Sequence, residues 1–332
     1  MLSQTAYRIP MGLPQREINR DMSLPSTRIV SVGECMVELA RADDGRFQLS
    51  YGGDTFNSAV YMARLGAQTR YLTALGNDPY SHGIIALGEQ EGVDMTATRM
   101  LEGRMPGLYV IETEHGERSF WYWRDTSPAR ELFGAELASS SIDCLQTADL
   151  IYFSGITLSL FGTDGRQIFL KALQDAKSRG ARIAMDSNFR PRGWPANRRV
   201  AQDAYAAFWP LADLALPTFD DESLLWGESH PAQSIERLQT AGVPEICLKL
   251  GADGAHVASA TFDGPVPSPK AVTAIDTTAA GDSFNAAYVC ARLAGHEAAI
   301  AAAAGNRLAA IVVTHRGAIT PKAALTGFQL SA

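Results

Sequence analysis

Asp282 closes the run Asp276-Thr277-Thr278-Ala279-Ala280-Gly281-Asp282, and an alanine-rich stretch of helical pattern follows it. A helix beginning there presents free amides and the positive end of its dipole, which favour an anion such as a transferring phosphoryl group. A carboxylate beside those amides can accept the proton of an attacking hydroxyl. Asp at a helix start is also a common cap for unpaired N–H groups. The small residues separate the two readings: a phosphate site needs bare backbone and a cap does not. The chemistry indicated is phosphoryl transfer to an alcohol.

A second group is Gly52-Gly53-Asp54-Thr55-Phe56-Asn57, again ahead of a helical pattern. Paired glycines let a ligand approach the backbone, and Asn57 on a first helical turn can grip sugar hydroxyls. A purely structural turn explains the glycines equally well. Arg124 ends the aromatic run Phe120-Trp121-Tyr122-Trp123, and Arg190 follows Asp186-Ser187-Asn188-Phe189. Two guanidinium groups facing one cleft suit a carboxylate better than a neutral sugar. A single arginine is more commonly a solvated surface charge.

These residues need a scaffold, and the pattern supplies one. Apolar runs at 29–33, 69–75, 150–154, 182–186, 214–217 and 245–250 alternate with helical segments, among them 55–65 and 80–91. That is the rhythm of a parallel sheet covered by helices on both faces, with functional loops at the carboxyl ends of its strands. Residues 107–113 and 117–123 flank a Gly-containing turn and predict a hairpin. With 47–51 it would make a small sheet, either a lid over the cleft or an edge packed on the core.

Taken together, the two Gly-bearing segments, with Gly66 and Gly76 downstream, resemble the ribokinase-like (PfkB) carbohydrate kinases over residues 28–320. The resemblance implies a three-layer α/β sandwich with a mostly parallel sheet and a small β lid. It implies ATP and Mg²⁺, with Asp282 as catalytic base and the Ala280, Gly281 and Asp282 amides as anion hole. Alanine replaces the family's usual glycine at Ala279, which the loop tolerates if φ there stays negative. By the same resemblance Asn188, Thr218, Lys249, Gly251, Gly254, Ala279 and Asn306 border the nucleotide. Glu222, left without the family's preceding Asn because Phe219 stands there, would reach Mg²⁺ only through water. The Tyr-Trp-Arg, Asn-Phe-Arg and Leu216-Pro217-Thr218 segments resemble the branch acting on 2-keto-3-deoxygluconate. This implies that Gly53, Asn57, Tyr109, Tyr122, Arg124 and Arg190 contact a sugar acid, with Arg190 on its carboxylate. A neutral sugar such as fructose, a deoxy-ketogluconate relative, and a non-catalytic binding module are the alternatives.

The whole chain sets bounds on this. Its 332 residues carry a formal charge of −7, which argues against nucleic-acid and anionic-membrane partners. Four scattered cysteines, none in a CxxC pair, read as buried thiols in a reducing cytoplasm. Residues 1–26, with three prolines and little periodicity, read as a disordered tail, and Met22 as an alternative start. Residues 27–330 then form one kinase domain, with the lid drawn from about 46–52 and 104–125. The aromatic lid strand suggests pairing between subunits.

Overall fold

The computed structural model describes residues 24–42, 44–114, 117–269 and 272–331. Met22 and most of the expected tail lie outside the described residues. Leu24–Ser26 form a short 3₁₀ turn, and Leu24 packs against the core.

Strands and helices are numbered along the chain. The main sheet runs β14 (Asp263–Val266), β13 (Ala255–Ala258), β12 (Ile246–Lys249), β11 (Leu214–Ala215), β10 (Arg182–Asp186), β9 (Leu150–Ser154), β1 (Arg28–Val32), β4 (Gln68–Leu72). From β12 to β4 every pairing is parallel, and β13 and β14 add an antiparallel edge.

Both faces are covered. Ile29, Tyr152, Ala184 and Cys247 pack under α1 (Asp54–Arg64), α9 (Ala280–Leu293) and α10 (Ala298–Val312). Val30, Ile151, Phe153, Ile183 and Leu248 face the opposite layer, formed by α3 (Ala138–Leu145), α4 (Gly155–Leu160), α5 (Thr163–Ser178), α6 (Arg198–Phe208), α7 (Phe219–Trp226) and α8 (Pro231–Thr240). Burial on both faces is why these strands read as unbroken apolar runs. Helix α2 (Pro79–Gln90) packs beside α1 through Ile84, Phe56 and Val60. Asp78 caps it, accepting from the Tyr80 and Ser81 amides, with Pro79 at the first turn.

Besides the edge strands β13 and β14, which the apolar runs did not include, two features depart from the sequence pattern. The single strand expected over 69–75 is two strands. After β4 the chain leaves the main sheet, and β5 (Ala74–Gly76) pairs with β6 (Arg99–Leu101). Arg99 donates its amide to the Thr73 carbonyl at 2.9 Å, which starts the new pairing. Alternation along one segment carries no information about a change of partner.

The second departure is a strand the pattern did not reveal. The small sheet has the order β3 (Phe47–Gly52), β2 (Met36–Arg41), β7 (Leu108–Glu114), β8 (Glu117–Trp123). Its central strand β2 carries Glu38 on a covered face, only 4% exposed. A buried carboxylate breaks the apolar alternation that marks a strand.

Candidate active site

The loop before α9 is built around Asp276, whose carboxylate accepts the Thr278 and Gly317 amides, each at 2.8 Å. The N-cap residue of α9 is Ala279, in the left-handed region at φ 60°, with no side-chain cap bond. This corrects the expectation of a negative φ. The chain must reverse tightly between Asp276 and the helix, and Ala279 takes the conformation that a glycine takes more easily. The Ala280 amide donates to the Thr277 carbonyl at 3.2 Å, so that part of the expected anion hole closes the turn instead. Ser283 to Ala279 begins the helical ladder at 2.9 Å, leaving the Gly281 and Asp282 amides to face an anion.

Asp282 is not a cap. Its side chain is buried, and Oδ2 accepts from Asn57 Nδ2 at 2.8 Å, across 225 residues of sequence. That bond joins the two Gly-bearing segments at one point. Burial pushes the Asp282 carboxyl well above the usual carboxylate range, and the Asp54 and Asp186 charges push the same way. The Asn57 bond and the Lys249 ammonium oppose them. A raised pKa beside an anion-binding helix start is what a hydroxyl-activating base requires near neutral pH.

Beneath Asp282 lies a polar network that the sequence reading largely missed. Lys249 Nζ donates to Asp186 Oδ1 at 3.2 Å and to Asn285 Oδ1 at 2.8 Å, and it sits 3.8 Å from where a Gly281 Cβ would stand. Asn285 in turn donates to Asp186 Oδ2 at 2.7 Å and to the Tyr152 hydroxyl at 3.0 Å. Asn188, at φ 31°, donates its side-chain amide to Asp54 Oδ2 at 2.8 Å. Ser154 also donates to Asp54, whose carboxyl burial pushes up. Asp54 and Asp186 had no sequence signal beyond opening α1 and ending β10, and Asn285, in the second turn of α9, had none. Lys249 and Asn188, expected at the nucleotide, reach this network through their side chains.

On the other side of Asp282 stand the groups expected to hold a sugar acid. Gly53 lies where a Cβ would come within 2.0 Å of the Glu34 carbonyl, so backbone approach requires glycine there. The Tyr109 ring is 5.8 Å from that of Tyr122. Burial raises the Tyr122 phenol, and the charges of Arg124, Arg190 and Arg192 oppose this. Both expected arginines are already paired. Arg124 donates to Glu34, which is 2% exposed, and Arg190 donates to Asp221 at 2.7 Å and to the Phe189 carbonyl at 2.8 Å. Arg192 was not foreseen; it donates to the Phe120 carbonyl at 2.8 Å and ties the small sheet to the main body.

The remaining candidates are held by the fold. Thr218 starts α7 without a side-chain cap and forms a bridge with Lys249. Gly251 and Gly254 have φ of 61° and 98°, and a Cβ on Gly254 would come within 2.3 Å of the Val266 carbonyl. Asn306 donates to the Val266 and Pro267 carbonyls at 3.0 and 3.2 Å. Glu222 is fully buried and ion-paired with Arg237, with Oε1 unpartnered. Its carboxyl is raised to about 7 by burial, against the Arg237 charge. It is therefore not a solvated helix carboxylate. Among the described residues no group of three His, Cys, Asp or Glu side chains could hold a metal ion. No helix among them is long and apolar enough to cross a membrane.

A helix start and a buried carboxylate at the carboxyl ends of parallel strands, flanked by an accessory sheet, define a phosphotransferase of the sugar-kinase type. The pattern of the pfkB family of carbohydrate kinases matches residues 26–324, and the chain belongs to that family. Over 310 residues it is 38% identical to the 2-dehydro-3-deoxygluconokinase of Escherichia coli K12, covering 90% of this chain and 99% of the relative. It is 29% identical to a probable fructokinase-4 of Arabidopsis thaliana, covering 79% and 81%. Among solved structures, the 2-dehydro-3-deoxygluconokinase of Thermotoga maritima superposes with a TM-score of 0.78 at 22% identity, covering 89% of this chain and 96% of that one.

Proposed function

We propose that this chain transfers the γ-phosphoryl group of ATP to the terminal hydroxyl of 2-dehydro-3-deoxy-D-gluconate, giving the 6-phosphate. The observation that carries the reading is the pair of guanidinium groups set against the Tyr122 strand: Arg124 follows β8 directly, and Arg192 donates to the Phe120 carbonyl of that strand at 2.8 Å. Guanidinium groups hold a carboxylate in a fixed orientation, and a sugar acid offers one. The likeness to the Escherichia coli relative supports the same substrate.

In this reading Asp282 takes the proton of the attacking hydroxyl while Asn57 holds its carboxylate in place. The Gly281 and Asp282 amides, with the α9 dipole, stabilise charge on the transferring group. Bound with the nucleotide, Mg²⁺ would neutralise phosphate charge, held mainly by phosphates and water. Glu222, buried in its pair with Arg237, is given no part in holding the ion in this reading. The small sheet acts as a lid that excludes water from the reacting phosphoryl group.

A neutral sugar such as fructose is the second reading, and one observation favours it. Glu34 and Asp221 already neutralise Arg124 and Arg190, so the cleft is less cationic than two free arginines would make it. A coupled ADP-release assay over sugars and sugar acids decides between the two. Turnover of the sugar acid, with its preference lost in Arg190→Ala, supports the first reading. Unchanged kinetics in that variant removes Arg190 from the site. No ADP release with any sugar would leave a binding module.

Subunit pairing through the lid belongs to the same proposal. Trp121 and Trp123 are 54% and 60% exposed, and Phe47 and Leu49 are also open to solvent. The cross-strand row Leu49, Leu39, Val110 and Trp121 places these apolar groups on one face of the sheet, where a second copy would cover them. The four cysteines are buried free thiols, consistent with a cytoplasmic setting.

A further inference from the structure

On the other face of the small sheet a second cross-strand row runs Ser50, Glu38, Tyr109, Tyr122. Glu38 is a buried carboxylate with no place in the chemistry above. Both its oxygens are occupied: Oε1 accepts from Ser50 Oγ at 2.7 Å, and Oε2 accepts from the Tyr109 hydroxyl. Tyr109 is itself buried, and burial together with the Glu38 charge raises its phenol well above the usual range, so it keeps its proton.

A phenol has one proton, and here it is donated to Glu38. The Tyr109 oxygen is then left with lone pairs only. That oxygen lies 2.8 Å from where a Gly52 Cβ would stand, and Asn57 Oδ1 lies 3.8 Å from the same point. Because Asn57 gives its Nδ2 to Asp282, its oxygen is also an acceptor. Glu38 Oε2 lies 3.7 Å from that point, so three acceptors meet beside the catalytic carboxylate, where a Gly52 side chain would crowd the Tyr109 oxygen. A carboxylate or carbonyl placed there would meet lone pairs, whereas a hydroxyl can donate.

We propose that Glu38 is a specificity-determining positioning residue. By taking the Tyr109 proton it makes the Gly52–Tyr109–Asn57 corner an acceptor-only subsite that selects a substrate hydroxyl next to the one phosphorylated. Buried polar groups built to bind a hydroxyl reject an analogue that cannot supply it in the right place. The inference rests on the sugar-acid reading, and it names the part of that substrate that is read by configuration.

The test compares kcat/KM for 2-dehydro-3-deoxygluconate and for its C4 and C5 epimers, in the wild type and in Glu38→Leu, Tyr109→Phe, the double variant and Ser50→Ala. Melting temperatures check that each is folded. The wild type should prefer one epimer by about tenfold or more. Glu38→Leu, which leaves no acceptor for the phenol, and Tyr109→Phe should each reduce that to about threefold or less, the double variant should go no further, and Ser50→Ala should keep the preference. The KM for ATP should be unchanged throughout. Four outcomes overturn the inference: no wild-type discrimination, folded Glu38→Leu with the wild-type ratio, loss confined to Tyr109→Phe, or an equal loss in Ser50→Ala. If the wild type turns over none of these acids, the sugar-acid reading itself fails, which is a separate result.

Discussion

At the scale of single residues, Asp282 and Asn57 were legible because each sits at a fixed offset from glycines that open the backbone. Their 2.8 Å bond is the structural meaning of that spacing. What could not be read was their environment, since Asp54 and Asp186 act on Asp282 through proximity and burial. A pH prediction follows from those charges. Asp282 works deprotonated and its pKa is raised, so kcat/KM should fall on an acid limb above the ~4 of an ordinary carboxylate. Asp54→Asn removes a negative neighbour and should move the limb to lower pH. Asn57→Ala removes a donor and should move it higher. A profile flat down to pH 5 in the wild type would count against Asp282 as the base. The same shift has a sign for stability: the native state holds this proton more tightly, so its contribution to stability falls as pH rises from the ordinary carboxylate range to the raised pKa.

Among the elements, the main sheet was legible and the small one only in part. Strands buried on both faces announce themselves, whereas β2 hides because Glu38 stands within it, and Glu34 just before it, where apolar residues would mark it. Those carboxylates interrupt the pattern because they hold Tyr109 and Arg124, so the feature that obscured the strand belongs to the site. The start of α9 gives a prediction of its own. Ala279 has φ 60°, a conformation that costs a residue with a Cβ about 1–2 kcal/mol, partly offset by the greater chain entropy of glycine. Ala279→Gly should therefore stabilise the protein by about 1 kcal/mol or less and raise Tm by about 1–3 °C, measured by calorimetry. A lower Tm would show that the loop does not bear this strain.

For the whole molecule, the fold class and the carbohydrate-kinase family were accessible from two short segments, because they fix where strand ends and helix starts meet. The pairing of both arginines with carboxylates was not, since Glu34 and Asp221 lie 90 and 31 residues from their partners. The exposed aromatic face of the small sheet carries the prediction at this scale. Trp121→Ser with Trp123→Ser should lower the molar mass found by light scattering to that of one chain, and a wild type that is already monomeric removes the proposed pairing. The helix start at Asp282 is central to the proposed chemistry, and Asp282→Asn tests it most directly. Nucleotide affinity, measured by calorimetry, should stay within about threefold, while ADP release with the sugar acid falls by roughly 10²–10⁴-fold. An Asp282→Asn enzyme that turns over at the wild-type rate would contradict the assignment of the base and of the site built around it.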